Sequence, residues 1–254
     1  MSQLNRLFER FARRDRMALA RLITYLDDGG DPRPVFDALP IEPSHPTCTK
    51  VALTGSAGVG KSSLIGALVQ HIRGSGKSVA VLMCDPSSAR TGGALLGDRV
   101  RIEDDPADNE LYIRSIATRG GVGGISESAG PIARLLERFG FEVVLIETIG
   151  VGQDQVAASD VADLLVLVLT PQSGDEMQWQ KAGLMECADL IAINKADLGG
   201  ADAVARSLHA VANVPVNPVS AETGEGVAHL WAAIEQSAAK QDRSSSSRSG
   251  EAGL

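Results

Sequence analysis

Val51-Ala52-Leu53-Thr54-Gly55-Ser56-Ala57-Gly58-Val59-Gly60-Lys61-Ser62-Ser63-Leu64 is the stretch that decides the fold. Val51 to Thr54 is a mostly apolar strand, and beyond the glycine-rich turn Leu64, Ile65, Leu68, Val69 and Ile72 fall at helical spacing. The turn has the spacing G-x-x-x-x-G-K-S, which between a strand and a helix reads as a phosphate cradle. Gly55, Gly58 and Gly60 admit backbone angles closed to other residues, so successive N–H groups through Ser63, those of Ser56 and Val59 among them, can face a phosphate chain. The helix that follows adds the positive end of its dipole. Lys61 can reach β- and γ-phosphates, and the Ser62 hydroxyl suits Mg²⁺. This one stretch predicts an α/β fold: a phosphate-loop NTPase domain with a mostly parallel central sheet flanked by helices.

Composition excludes several classes. The chain has 254 residues and a net charge of −8, so a nucleic-acid partner has no electrostatic support. No apolar run approaches the roughly 20 residues of a membrane span, and the N-terminus lacks a signal-peptide core. A cytoplasmic protein is expected. Cys48, Cys84 and Cys187 are isolated, as are the four histidines, which argues against a disulfide frame and a thiolate metal site.

Leu4, Leu7, Phe8 and Phe11, then Leu19, Leu22, Ile23 and Leu26, give one buried helical face with arginines opposite. The expected organisation is a helical extension and connector over 1–47, the phosphate-loop domain over 48–240 and a disordered Ser-, Gly- and Arg-rich tail over 241–254. The extension either docks a partner or simply packs on the domain.

Two further strands end in carboxylates. Ser78 to Cys84 runs into Asp85, and Val143 to Ile146 into Glu147, with Gly150 three residues later. Acids at the C-terminal edge of a parallel sheet face the nucleotide crevice, and a glycine N–H such as that of Gly150 can sense a γ-phosphate. Asp98 lies past Gly97 in a segment with helical character. A glycine-dense loop spans 118–124. Asp163 to Thr170 is the most hydrophobic strand, and Leu190 to Ile193 ends in Asn194-Lys195-Ala196-Asp197. This N-K-x-D pattern resembles the guanine-specificity element of GTPases. There the Asp accepts hydrogen bonds from the base, the Lys stem covers it and the Asn ties its loop to the phosphate loop. A last strand, Val214 to Val219, precedes Ser220 and Ala221, whose backbone suits the guanine carbonyl, and a final helix runs from about Gly226 to Ala239.

Together these segments resemble the MeaB/ArgK family, within the class of phosphate-loop GTPases that act as metal and cofactor chaperones. Members serve adenosylcobalamin-dependent methylmalonyl-CoA mutase and related acyl-CoA mutases. The likeness runs from about residue 4 to 240. It rests on Gly55 to Ser63, Asp85-Pro86-Ser87-Ser88, Gly97-Asp98-Arg99-Val100-Arg101, Glu147-Thr148-Ile149-Gly150-Val151-Gly152-Gln153, Gly174-Asp175-Glu176 with Gln178 and Lys181, and Asn194 to Asp197. It implies GTP as substrate and GDP as product. It places nucleotide and Mg²⁺ ligands on Lys61, Ser62, Asp85, Asp98 and Glu147, and a third switch over Gln172 to Lys181 that carries Lys181 toward the phosphates. The implied partners are the mutase and an adenosyltransferase. Family members continue into a dimerisation arm where this chain has a short polar tail, which leaves open a homodimer, through that arm or a different interface, and a monomer; Asp154-Gln155 stands where the family commonly has Ser-Glu.

Three carboxylates exceed what one octahedral Mg²⁺ needs beside Ser62, phosphates and water, so Asp85, Asp98 and Glu147 are not expected to bind it together. Val151, not Gln, follows Gly150, which predicts slow hydrolysis accelerated by a partner. The alternatives are a GTPase inserting nickel, cobalt or zinc, a small-molecule kinase and a non-hydrolysing scaffold. Metal titration and a GTPase assay without acceptor separate them.

Overall fold

Seven strands form one sheet: β1 (Thr49–Thr54), β2 (Val79–Asp85), β3 (Leu111–Ala117), β4 (Val143–Glu147), β5 (Leu164–Leu169), β6 (Leu190–Ile193) and β7 (Val216–Pro218). A computed structural model describes residues 3–39, 48–85, 108–118, 125–149, 158–172, 187–210 and 212–250, the side chains of Gln3, of Asp85 and of 242–250 excepted. The strand order is β3-β2-β4-β1-β5-β6-β7, and every described pairing is parallel, so the expected mostly parallel sheet is wholly parallel here. Parallel neighbours need crossovers, which cover both faces with helices and make the strands read as continuous apolar runs.

The pleat sorts these runs onto two faces. Ala52, Leu82, Ile116, Val144 and Leu165 point to the side covered by α1 (Gln3–Ala12), α2 (Arg16–Asp27) and α5 (Ala129–Phe139). Val51, Leu53, Val81, Leu145 and Val166 point to the side of α4 (Lys61–Gly74) and α7 (Val227–Gly250). A third cluster packs Leu167 and Ile191 against α6 (Ala201–His209).

The N-terminal extension packs on the sheet, with Leu19, Leu22 and Ile23 fully buried, and it includes a short α3 (Arg33–Ala38) that periodicity did not reveal. Arg138 of α5 donates to the Phe36 and Leu39 carbonyls at the end of α3 (2.8 and 3.2 Å). Arg134 and Arg138 also lie over the Phe36 ring, 4.5 and 5.0 Å from its centroid. At the other end of the sequence, α7 continues to Gly250 where an end near Ala239 and a disordered tail from Gln241 were expected. Between Gly226 and Gly250 there is no glycine or proline to stop a helix. No described helix is long and apolar enough to cross a membrane.

Register positions the site. Leu53, next to the last residue of β1, lies beside Glu147, and Ile193 lies beside Leu169 and Pro218. The phosphate turn, Glu147, Asn194 and Ser220 are therefore all delivered to the C-terminal edge of the sheet, where open α/β folds hold ligands.

Candidate nucleotide site

The turn after β1 takes shape around its glycines. Gly55 has φ of +148° and a Cβ there would stand 2.3 Å from the Val168 carbonyl oxygen, while Gly60, at φ +89°, leads into α4. The loop is closed by its own lysine. Lys61 is only 8% exposed, and its Nζ donates to the carbonyls of Gly55 (2.8 Å) and Ser56 (3.2 Å). Burial pulls the Lys61 pKa down, and the negative charge of Glu147 opposes that shift. A partly desolvated ammonium held by neutral carbonyls would gain by exchanging them for anionic oxygens, because a bond in which both partners are charged adds ion-pair attraction.

Ser62 Oγ donates to Glu147 Oε1 at 2.6 Å. The structure thus brings together two of the expected metal ligands, a hydroxyl from the first turn of α4 and a carboxylate from the end of β4. Both are hard oxygen donors, which suits Mg²⁺, an ion that keeps several waters and takes one or two protein ligands. Among the described residues no group of three His, Cys, Asp or Glu could hold a metal. Asp98, Gly150 and Lys181 lie outside the described residues, and for Asp85 only the backbone, the last residue of β2, is described.

Asn194 is the joint of the site. It is 1% exposed, and its Nδ2 donates to Val59 O (2.9 Å) and Gly60 O (3.3 Å) while its Oδ1 accepts from the Ala221 N–H (3.1 Å). The expected tie between the base loop and the phosphate loop is present, and it extends to a third loop. The Ala221 N–H, expected to face a guanine carbonyl, is engaged by Asn194. Lys195, at φ +62°, sends its Nζ to the Gly58 carbonyl (2.8 Å), so its stem crosses from one loop to the other. Ser220 is fully buried; its Oγ donates to Asp197 Oδ1 at 2.5 Å and accepts from the Thr223 N–H. Reading the sequence assigned only the backbone of Ser220, and its hydroxyl contact with Asp197 was missed. Nothing in a four-residue motif reports a side chain 23 positions later. Thr148, 2% exposed, likewise donates its Oγ1 to the Leu53 carbonyl (3.2 Å) and fixes the end of β4 beside the turn. Ser56 and Gly58 are partly or fully open to solvent, Val59 is buried and Ser63 is exposed on α4.

Gly60→Ala tests this packing. Its Cβ would fall 2.5 Å from Asn194 Nδ2 at a left-handed φ, so strain of about 1–3 kcal/mol is expected. In a domain of this size that is a Tm lowered by roughly 2–12 °C. Thermal unfolding of the nucleotide-free protein within about one degree of the parent would contradict the geometry.

A family model described as "Methylmalonyl Co-A mutase-associated GTPase MeaB" matches residues 19–251. A "Probable GTPase" of Mycobacterium tuberculosis is 39% identical over 238 residues, 87% of this chain and 71% of that protein. A Pyrococcus horikoshii protein provisionally named a GTPase is 38% identical over 248 residues, 93% of this chain and 78% of its own length. A Caenorhabditis elegans "Methylmalonic aciduria type A homolog, mitochondrial" is 44% identical over 149 residues, 58% of this chain and 37% of that one. Among solved structures, a LAO/AO transport system kinase superposes with a TM-score of 0.63 at 24% identity, covering 99% of this chain and 85% of that one. HypB from Helicobacter pylori follows at 0.57 and 14%, covering 76% and 88%. These two likenesses concern the fold.

Proposed function

The chain belongs to the MeaB family of methylmalonyl-CoA mutase-associated GTPases, and from that premise we propose that it is a G-protein chaperone whose GTP cycle gates adenosylcobalamin loading or protection on an acyl-CoA mutase. The observation that carries the reading is the Asn194 bridge: the loop bearing Asp197 hangs from the phosphate turn by two bonds and from the Ala221 loop by a third. A base bound at one end is thereby rigidly spaced from phosphates at the other, which is the geometry a nucleotide switch requires. The family description, which names methylmalonyl-CoA mutase, and the likeness to a protein named for methylmalonic aciduria support a mutase as the partner class.

In this reading Lys61 releases the Gly55 and Ser56 carbonyls and takes up β- and γ-phosphate oxygens. Ser62 and Glu147 would hold Mg²⁺, which would supply positive charge against the charge that develops on the phosphates. Asp197 accepts from the guanine edge while Ser220 steadies its carboxylate. Asp85, Asp98, Gly150 and Lys181 are assigned to the parts that respond to the γ-phosphate, and a mutase or an adenosyltransferase is the surface that reads them. Val151, not glutamine, immediately follows Gly150, so no water-orienting glutamine stands at that position. Basal turnover is therefore expected to be slow, and a cobalamin-dependent methylmalonyl-CoA mutase is expected to raise it at least about tenfold. Hydrolysis of GTP measured while the mutase is titrated in tests this. A basal rate typical of metabolic enzymes, or no response to the mutase, would sink the chaperone reading.

A further inference from the structure

One surface of this acidic protein has inverted charge. Residues 3–22 carry six arginines against Glu9 and Asp15, a net of +4 in a chain whose total is −8. Leu7, Phe11, Leu19, Leu22 and Ile23 take the buried faces of α1 and α2, so Arg6, Arg13, Arg14 and Arg21 are left outward and exposed.

The corner between the two helices is rigid. Asp15 N–H reaches back to the Arg10 carbonyl (3.1 Å) and Arg14 N–H to that of Phe11 (2.8 Å), which closes α1 with Arg14 in the left-handed conformation at φ +57°. This is the helix-terminating position that glycine usually fills, and here the chain spends an arginine on it. Asp15 then caps α2 through the N–H groups of Met17 and Ala18 and pairs with Arg10 at 2.6 Å.

Under the corner opens a cavity of about 110 Å³, lined by Arg14, Arg16 and Glu110 over Phe139 and Phe141. Arg16 is held from behind, donating to the carbonyls of Asp108 (2.9 Å) and Leu111 (2.6 Å) with its guanidinium 5.5 Å from the centroid of the Tyr112 ring. Neutral carbonyls orient that guanidinium, and the nearby Asp108 carboxylate bonds to Arg73 (2.8 and 2.9 Å) while it also feels the Arg16 charge. The cavity has room for a carboxyl group, not for a nucleoside. It sits where β3 begins, at the sheet edge opposite the nucleotide, so a partner held there leaves the phosphate loops free.

We infer that this arginine corner docks an acidic surface of a partner protein, with one Asp or Glu side chain entering the Arg14–Arg16 cavity. That the occupant is a protein rests on the proposed function. Arginine suits it, because its planar fork pairs two-pronged with carboxylates. An anionic membrane would need an exposed apolar face on the same helices, and of their large apolar side chains Met17 is the one recorded as exposed. Nucleic acid would need phosphate contacts along a longer basic track.

The left-handed φ of Arg14 supplies a clean test, since Arg14→Gly removes the guanidinium and relieves the backbone. The full chain, R14G and the triple variant R6Q/R13Q/R21Q would be compared by biolayer interferometry against methylmalonyl-CoA mutase, poly-L-glutamate, phosphatidylserine vesicles and duplex DNA, at low and high salt. R14G is expected to bind the mutase about tenfold more weakly, with Tm equal to or above the parent's and basal GTP hydrolysis unchanged, and the triple variant to lose most of the salt dependence. If the mutase does not bind but poly-L-glutamate does, with the same arginine dependence, the docking inference stands and the proposed partner falls. Unchanged affinity of both variants overturns it, as does tighter binding to vesicles or DNA than to either protein probe. If the chain's own Glu103-Asp104-Asp105 run satisfies the arginines, the variants will lower Tm and leave mutase binding intact, which also overturns it.

Discussion

Asp197→Asn is expected to weaken GTP binding by roughly 10²–10⁴-fold and to shift preference to xanthosine triphosphate. In the proposed base site the carboxylate accepts from the guanine ring N–H and exocyclic amino group, and each bond to a charged acceptor is worth about 1.5–3 kcal/mol. Losing both costs about 3–6 kcal/mol, which is the stated factor. Xanthine replaces the amino group with a carbonyl and so needs a donor. The surroundings favour a correctly oriented amide: Ser220 Oγ donates to Oδ1, so an asparagine that keeps its oxygen on Ser220 presents its nitrogen to the base. Calorimetric titration with both triphosphates measures the switch. An unchanged preference would remove Asn194 to Asp197 from the base site.

Glu147→Gln should lower Mg²⁺-dependent single-turnover hydrolysis by about 10²–10³-fold, the range seen when one electrostatic stabiliser of a transition state is removed. The substitution conserves shape, and the Gln oxygen can still accept from Ser62 Oγ, the donor to Glu147 Oε1 at 2.6 Å. What changes is charge. The neutral amide is a poor Mg²⁺ ligand, and without the carboxylate nothing named opposes the burial that already lowers the Lys61 pKa. Fold stability should be unchanged or slightly raised, because a partly buried charge has been replaced by an isostere. A variant that hydrolyses GTP at the parental rate with the parental Mg²⁺ requirement would exclude Glu147 from the metal site.

How much of this was legible beforehand depended on the range of the signal. The phosphate turn was readable because its glycines, lysine and serine are contiguous and each has a local backbone or side-chain reason to be there. The strands were readable because a parallel sheet covered on both faces leaves runs such as Leu164–Leu169 without polar interruption. The α3 helix was not, because its six residues are too few to show a helical period. Nor could the last helix be ended correctly, since its polar C-terminal half has neither an apolar stripe nor a breaker before Gly250.

By itself the sequence determined the fold class, the nucleotide chemistry and the family, since these rest on short motifs whose residues act through neighbours a few positions away. Only the tertiary structure decided how those motifs meet. Register alone sets Glu147 beside Leu53 and hence within reach of Ser62, and chain crossovers alone bring Asn194 against Val59 and Ala221, 135 and 27 positions distant. The same holds for Val51 to Leu64, where the quoted stretch specifies a cradle. That Lys61 closes it, that Asn194 braces it and that an arginine corner lies at the far edge of the sheet are consequences of packing, because long-range contacts carry no local spacing to read.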